Sequence, residues 1–358
     1  MEYVEIDKII NVELGKTPSR NNSDYWNGKH TWIAISDMNK KYIVNSKEKI
    51  TNEAIENTKI KKVPKDTVIM SFKLSIGKRA ITKSEVYTNE AIAAFHIKDL
   101  KYLIPEYLYY ALESVDFLKY TDKAVKGKTL NKEKLKKIKI PILPLTEQLK
   151  ISEILNKTQK IIEDKKKQIF LFDELIKSRF IEMFGDPIRN DKGWEISNFE
   201  KNFEISSGGT PSTKIMEYWE NGDISWIGSN LCQNKILHEN DGKYITELGY
   251  ENSSAKLYEK GTILIALVGA TIGKAALLKF STATNQNIAG VEVDNNKFSS
   301  DFVFFVVQLL YPKFQGISKN KFKMANLKFI KDLPIIIPPL YLQEEFSQFV
   351  EKTDKFKV

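Results

Sequence analysis

The stretch GKTPSRNNSDYWNGKHTWI at residues 15–33 returns as GGTPSTKIMEYWENGDISWI at residues 208–227. Gly15-Lys16-Thr17-Pro18-Ser19 corresponds to Gly208-Gly209-Thr210-Pro211-Ser212, Tyr25-Trp26 to Tyr218-Trp219, and Trp32-Ile33 to Trp226-Ile227. The offset starts at 193 and drifts to 194 through one insertion. Further on, Thr67-Val68-Ile69 and Ile76-Gly77-Lys78 match Thr262-Ile263-Leu264 and Ile272-Gly273-Lys274. Asn89-Glu90-Ala91-Ile92-Ala93 then matches Asn285-Gln286-Asn287-Ile288-Ala289, and Pro144-Leu145 with Gln148 matches Pro339-Leu340 with Gln343. Ordered matches at a nearly constant offset make the chain a tandem duplication, which settles the fold question first.

The first part of each repeat, about 140 residues, alternates short apolar runs with turn signals. TVIMSF at 67–72 and TILIALV at 262–268 have the β-branched content of buried strands, with glycines 77, 269 and 273 marking bends. Residues 105–120 and 301–314 are expected to form helices, the former opening on a first-turn proline. After a proline-bounded apolar segment, residues 146–184 contain no glycine or proline. Apolar residues recur there at three-four spacing through Ile151, Ile154, Leu155, Ile161, Ile162, Ile169, Phe172, Ile176, Phe180 and Met183. This predicts one helix of roughly 58 Å, stopped at Gly185-Asp186-Pro187, with a seam that needs a partner. The organisation expected is α+β: mixed domains at 1–145 and 186–339, a long helix at 146–185, and the start of a second at 340–358.

Composition narrows the function. The chain has 358 residues, a formal charge of +9, one cysteine and three histidines. Cys232 alone excludes a disulfide framework or a multi-cysteine zinc site, and no metal site is expected. The start MEYVEIDKII lacks the marks of a secretion signal, and no apolar run is long enough to span a membrane. A cytoplasmic protein without a membrane role is the expectation. The whole charge excess lies in residues 1–144, and residues 188–358 balance. Two local lysine runs stand out, Lys119–Lys139 with nine lysines and Lys313–Lys331 with six. Clustered lysine attracts polyanions and releases their counterions.

Catalytic motifs are absent from the sequence. There is no GxGxxG after a strand, no GxxxxGK[ST], no GxSxG elbow and no HExxH helix. Pro338-Pro339 follows Ile337, so the Asn- or Asp-Pro-Pro-aromatic motif of a base-flipping adenine methyltransferase is missing. His96 reads as a strand-edge residue and Asp241-Gly242-Lys243 as a turn. The residues point to a binder rather than an enzyme, with no cofactor of its own.

The duplicated GxTPS…YW.NG…W motif, with IGK, NEA or NQN and the proline segment before Gln148 or Gln343, resembles the specificity subunit of type I restriction-modification systems. That resemblance covers essentially the whole chain. It implies two target-recognition domains, each reading half of a bipartite double-stranded DNA sequence. It also implies helices that pair as an antiparallel coiled coil and fix the unread spacer. Half-sites about one helical turn apart, roughly 34–36 Å, suit such a ruler. The implied partners are two methyltransferase subunits, which carry S-adenosylmethionine and methylate adenine at N6, and separate restriction subunits that cleave DNA. Family members carry a second helix about as long as the first. Here the second copy is truncated at Val358, equivalent to about residue 163.

Candidate DNA contacts follow from residue type and from comparing the copies. Thr17, Ser19, Arg20, Thr210 and Ser212 lie in the shared loops, and Lys78 and Lys274 follow a glycine bend and suit phosphate. Base reading is expected where the copies differ: Ser36-Asp37-Met38, Lys73 and Lys126–Thr129 (with Lys126 and Lys128) in the first, and Ser229, Asn230, Gln233 and Ser318–Lys321 (with Lys319 and Lys321) in the second. The paired Tyr-Trp motifs read as core. Gln148, Ile154, Ile161, Phe172 and Ile176 are the candidates for docking the methyltransferase subunits. Two other classes stand beside this reading: a recognition subunit of a differently organised restriction system, and a helical scaffold with non-specific DNA binding.

Overall fold

The computed structural model describes residues 2–73, 75–120, 130–318 and 324–357. They form two compact units, Met1–Glu163 and Asp164–Val358. In the first, strand Val68–Ser71 is buried along its whole length because its alternate side chains face two different cores. Val68 and Met70 join Ile81, Ala93 and Phe95 on one face. Ile69 joins Ala80, Ile92 and Ala94 on the other. The five-stranded sheet runs Ile10–Leu14, Ile92–Ile97, Val68–Ser71, Arg79–Thr82, Tyr42–Ile43, antiparallel except for the last pair. A smaller sheet pairs Trp26–Ile33 with Glu48–Ile50 and, in parallel, with Tyr87–Thr88.

The second unit repeats this plan. Its five-stranded sheet runs Glu204–Ser207, Ile288–Glu292, Ile263–Ala266, Ala275–Leu278, Lys235–Leu237, again with only the last pair parallel. In both units the chain arrives and departs through a two-stranded antiparallel pair. Glu2–Glu5 lies against Lys139–Ile142, and Glu195–Asn198 against Pro334–Ile337.

The long helix spans Leu145–Phe184. The Trp194 indole Nε1 donates to Phe184 O at 2.9 Å, and Gly185 leaves the helix at φ +74°. Within the second unit the helix Leu340–Asp354 runs antiparallel to it, since Phe346 meets Phe180 and Phe184 while Phe356 stacks on Phe172. Residues 157–171 are exposed on every face. Among the described residues no helix is long and apolar enough to cross a membrane.

Two expected helices are shorter than the periodicity suggested. The span 105–120 divides into Pro105–Ala111 and the 3-10 turn Phe117–Tyr120. Ser114 Oγ donates to Ala111 O, and Asp116 Oδ1 accepts from Leu118 N, so polar side chains take over the backbone partners between them. The span 301–314 divides into Ser300–Leu309 and Tyr311–Ser318 around Leu310 and Pro312.

Near the start of the long helix, Lys41 is half-buried and bonds Asn156 Oδ1, which also accepts from Tyr110 OH at 2.8 Å. Its ammonium lies 4.2 Å from the centre of the Tyr110 ring and 5.0 Å from that of Tyr109. Burial pushes its pKa down to about 8. Between that value and the ordinary 10.5 the unfolded chain holds more protons than the folded one, so stability rises with pH in that window. Guanidinium titrations should therefore show wild type gaining on Lys41→Met from pH 7 to pH 10. A pH-independent difference would contradict the burial.

Candidate nucleic-acid interface

The shared motifs turn out to be scaffolding. Trp26 and Trp32 meet edge to face at 5.1 Å, and Trp219 and Trp226 repeat this at 5.1 Å. Each indole holds the preceding loop. Trp26 Nε1 donates to Ser19 O and Trp32 Nε1 to Lys16 O, while Trp219 serves Ser212 O and Trp226 serves Gly209 O, all at 3.0–3.2 Å. Gly15 must lack a side chain, because a Cβ there would stand 2.2 Å from the Thr88 and Asn89 carbonyl oxygens. Gly208 faces the Thr284 carbonyl in the same way.

From this loop a chain of backbone bonds gathers most of the candidate contacts along one edge of each unit. In the first, Lys16 N bonds Thr88 O, Asn89 N bonds Ile33 O, and Phe72 N bonds Ala91 O. These join the Thr17–Arg20 loop, the 89–91 loop, Lys73 and the 3-10 turn Ile35–Asp37. Lys78 closes the set, its Nζ donating to Ile35 O at 2.9 Å and Asn39 Oδ1 at 2.8 Å. Leu130 N bonds Phe72 O, which brings Leu130 to the same edge. In the second unit Gly209 N bonds Thr284 O, Asn285 N bonds Ile227 O, and Leu267 N bonds Asn287 O. Lys274 Nζ donates to Gln233 Oε1 at 2.8 Å, and Thr210 Oγ1 donates to Gln286 Oε1 at 2.6 Å. Lys126, Lys128, Thr129, Lys319 and Lys321 lie outside the described residues.

Individual residues divide by exposure. Ser19, Ser36, Ser212, Asn230 and Gln233 are exposed, and Thr17, Lys73, Ser229 and Lys274 are half-buried. Arg20 is tied down, forking onto Glu48 and lying 3.9 Å over the Trp26 ring. The Glu48 hydrogen bond raises its pKa further, and the Glu48 carboxyl is held below its ordinary value by the same contact. Met38 is corrected from a reading residue to a core residue: it is buried with Ile33, Ile43 and Ile69. Asp37 turns inward as well, accepting from Ala34 N at 2.9 Å. Cys232 stands at the place equivalent to Met38, fully buried, and burial pushes its thiol up to about 12, which makes it a core residue rather than a nucleophile.

Two docking candidates are corrected too. Gln148 is fully buried, with Nε2 donating to Tyr102 O and Leu143 O at 2.8 Å and Oε1 accepting from Ile104 N at 3.2 Å. It therefore holds the helix start to its own domain and has no surface to offer. Ile176 is 1% exposed and packs in the second unit's core. Ile154 and Ile161 are exposed, and Phe172 is half-covered by Phe356. The reading missed Glu90, Ala91, Gln286 and Asn287, although they differ between the copies and sit on the gathered edges. The comparison of copies that singled out Ser36 and Asn230 applies equally to them.

Similar proteins agree with this architecture. The sequence matches the family described as "Type I restriction modification DNA specificity domain" twice, over residues 1–170 and 191–358. Two curated relatives come from Methanocaldococcus jannaschii. The type I restriction enzyme MjaIX specificity subunit is 26% identical over 97% of this chain and 85% of its own. The putative MjaX specificity subunit is 26% identical over 87% of this chain and 80% of its own. In fold the chain is similar to the crystal structure of a type I restriction-modification S subunit from M. genitalium, with TM-score 0.61, 16% identity, and coverage of 99% and 90% of the two chains. With two copies of the characteristic domain spanning nearly its whole length, the chain belongs to the type I restriction-modification DNA specificity family.

Proposed function

We propose that the chain is the sequence-reading subunit of a type I restriction-modification complex, with each unit reading one half of a bipartite double-stranded DNA target. One observation carries the reading. The two edges share a scaffold of indoles, glycines and lysines but differ in their outward residues, Ser36 against Asn230 and Glu90 against Gln286. A shared frame with divergent side chains is what two readers of unlike half-sites require. The first edge presents Lys73 and Glu90, and the second is rich in amides. The exposed stripe through Ile154 and Ile161 is the docking surface for methyltransferase subunits. Those subunits supply S-adenosylmethionine and N6-adenine methylation, restriction subunits supply cleavage, and this chain contributes recognition without catalysis. The cytoplasm is the compartment such a complex works in.

The test is co-expression with the neighbouring methyltransferase subunit, followed by mapping of N6-methyladenine in host DNA. A gapped two-part motif is expected, and exchanging residues 1–144 for those of a relative changes one half of it. Methylation at a continuous site would mean one reader. A stable complex without methylation, and with salt-sensitive but sequence-indifferent binding, would replace this reading with the scaffold.

A further inference from the structure

Lys78 and Lys274 follow a glycine with positive φ in both repeats and look from sequence like phosphate ligands. Their geometry says something else. Lys78 donates to Ile35 O and to Asn39 Oδ1, and Asn39 Nδ2 donates in turn to Ser36 O at 2.6 Å. Lys274 donates to Gln233 Oε1, and Gln233 Nε2 donates to Asn230 O at 3.1 Å. The same relay, ammonium to amide to backbone carbonyl, is therefore built twice with different amides. An ammonium can only donate, so it fixes which end of the amide faces it. The other end is left to hold the apex of the turn. That apex carries the exposed Ser36 or Asn230, where the copies diverge.

We propose that Lys78 and Lys274 are positioning residues that lock the reading turn, setting which sequence is read rather than neutralising a phosphate. This rests on the reading of the chain as a DNA-recognition subunit. A phosphate ligand and a positioning lysine leave different signatures. Loss of one phosphate contact lowers the slope of log K against log salt by about 1 and weakens all sequences alike. Loss of the lock leaves the slope unchanged and erodes the preference.

The experiment measures binding of the complex with its methyltransferase subunits to three duplexes, one carrying the motif found by methylation mapping and one with each half scrambled in turn, from 50 to 200 mM salt. Lys274→Met is expected to cut the preference at least tenfold at unchanged slope. Gln233→Leu should do the same, and the double variant should be no worse than either single one, since both break one relay. Lys78→Met is the parallel variant for the first half, with thermal melting to show that each variant folds. A slope lower by about 1 with the preference intact, or additive losses in the double variant, overturns the proposal alone. A wild-type complex without preference overturns it together with the recognition reading.

Discussion

Phe180→Ala should destabilise the second unit by about 3–5 kcal/mol, the usual cost of removing a fully buried phenylalanine from a core that cannot collapse around the gap. Phe180 is fully buried. Its ring meets Phe184 at 4.9 Å, Phe346 at 5.4 Å, Phe302 at 5.6 Å and Phe305 at 6.3 Å. These come from the long helix, the second helix and the domain helix Ser300–Leu309, so one side chain is shared by three elements. The cavity would sit where all three meet, and none can move to fill it without leaving the others. A chain of two units can unfold in more than one step, so a melting temperature by itself does not say which unit lost stability. Amide exchange resolves the units, and it should speed up across Ile263–Ala266 and Ser300–Leu309. Unchanged protection there would mean that the aromatic cluster is not what joins helix and domain.

Gln148→Leu should cost about 2–4 kcal/mol in the first unit, because it strands the Tyr102 and Leu143 carbonyls and the Ile104 amide at roughly 1–3 kcal/mol for each buried orphan, less where water reaches. Gln148→Glu is the more telling variant. An ionised carboxylate would aim oxygen at the two carbonyl oxygens that the amide nitrogen now serves. Only the protonated acid can donate there, with one O–H in place of two N–H, so it serves one of the two carbonyls and the folded-state pKa must lie above that of an unfolded glutamate. A group raised in this way contributes its stability below the unfolded pKa and loses it as pH rises through the folded one. The variant should therefore lose about one orphaned bond's worth of stability in denaturant titrations at pH 4, and clearly more at pH 7.5. Equal losses at both pH values would show that shape, not donor placement, is what the site demands. Gln343, with bonds to Pro338 O and Ser299 N, should behave alike in the second unit.

The duplication was legible because its motif residues each meet a contact that no other residue makes. An indole nitrogen must reach a loop carbonyl, and Gly15 must admit two carbonyl oxygens. The long helix was legible from its spacing and its lack of glycine and proline. What spacing could not say is which body covers a given stripe: Ile154 and Ile176 share one pattern, yet one is exposed and the other is core. Gln148 misled for the converse reason, since a polar residue in a first helical turn looks solvated until its three partners, distant in sequence by up to 46 residues, are in place. Ser36-Asp37-Met38 likewise reads as one polar loop, but only its first member faces outward, because Asp37 bonds its own backbone and Met38 fills the core beneath. Gln286 and Asn287 needed the sheet register to be seen beside Thr210 and Leu267.

The two-stranded pairs at the base of each unit carry a consequence for change over generations. With Glu2–Glu5 fastened to Lys139–Ile142, and Glu195–Asn198 to Pro334–Ile337, both ends of each recognition domain are tied off at one spot. The loop-closure entropy of some 140 residues is thus met inside the domain and makes no demand on the helix that follows. A foreign domain carrying the same two terminal strands, and the same partners for Gln148 or Phe180, could be spliced in as a cassette without refitting its neighbour. On the proposed function, a new target would then be acquired by exchange of a whole part, and the slow accumulation of point changes on the gathered edge would only refine it.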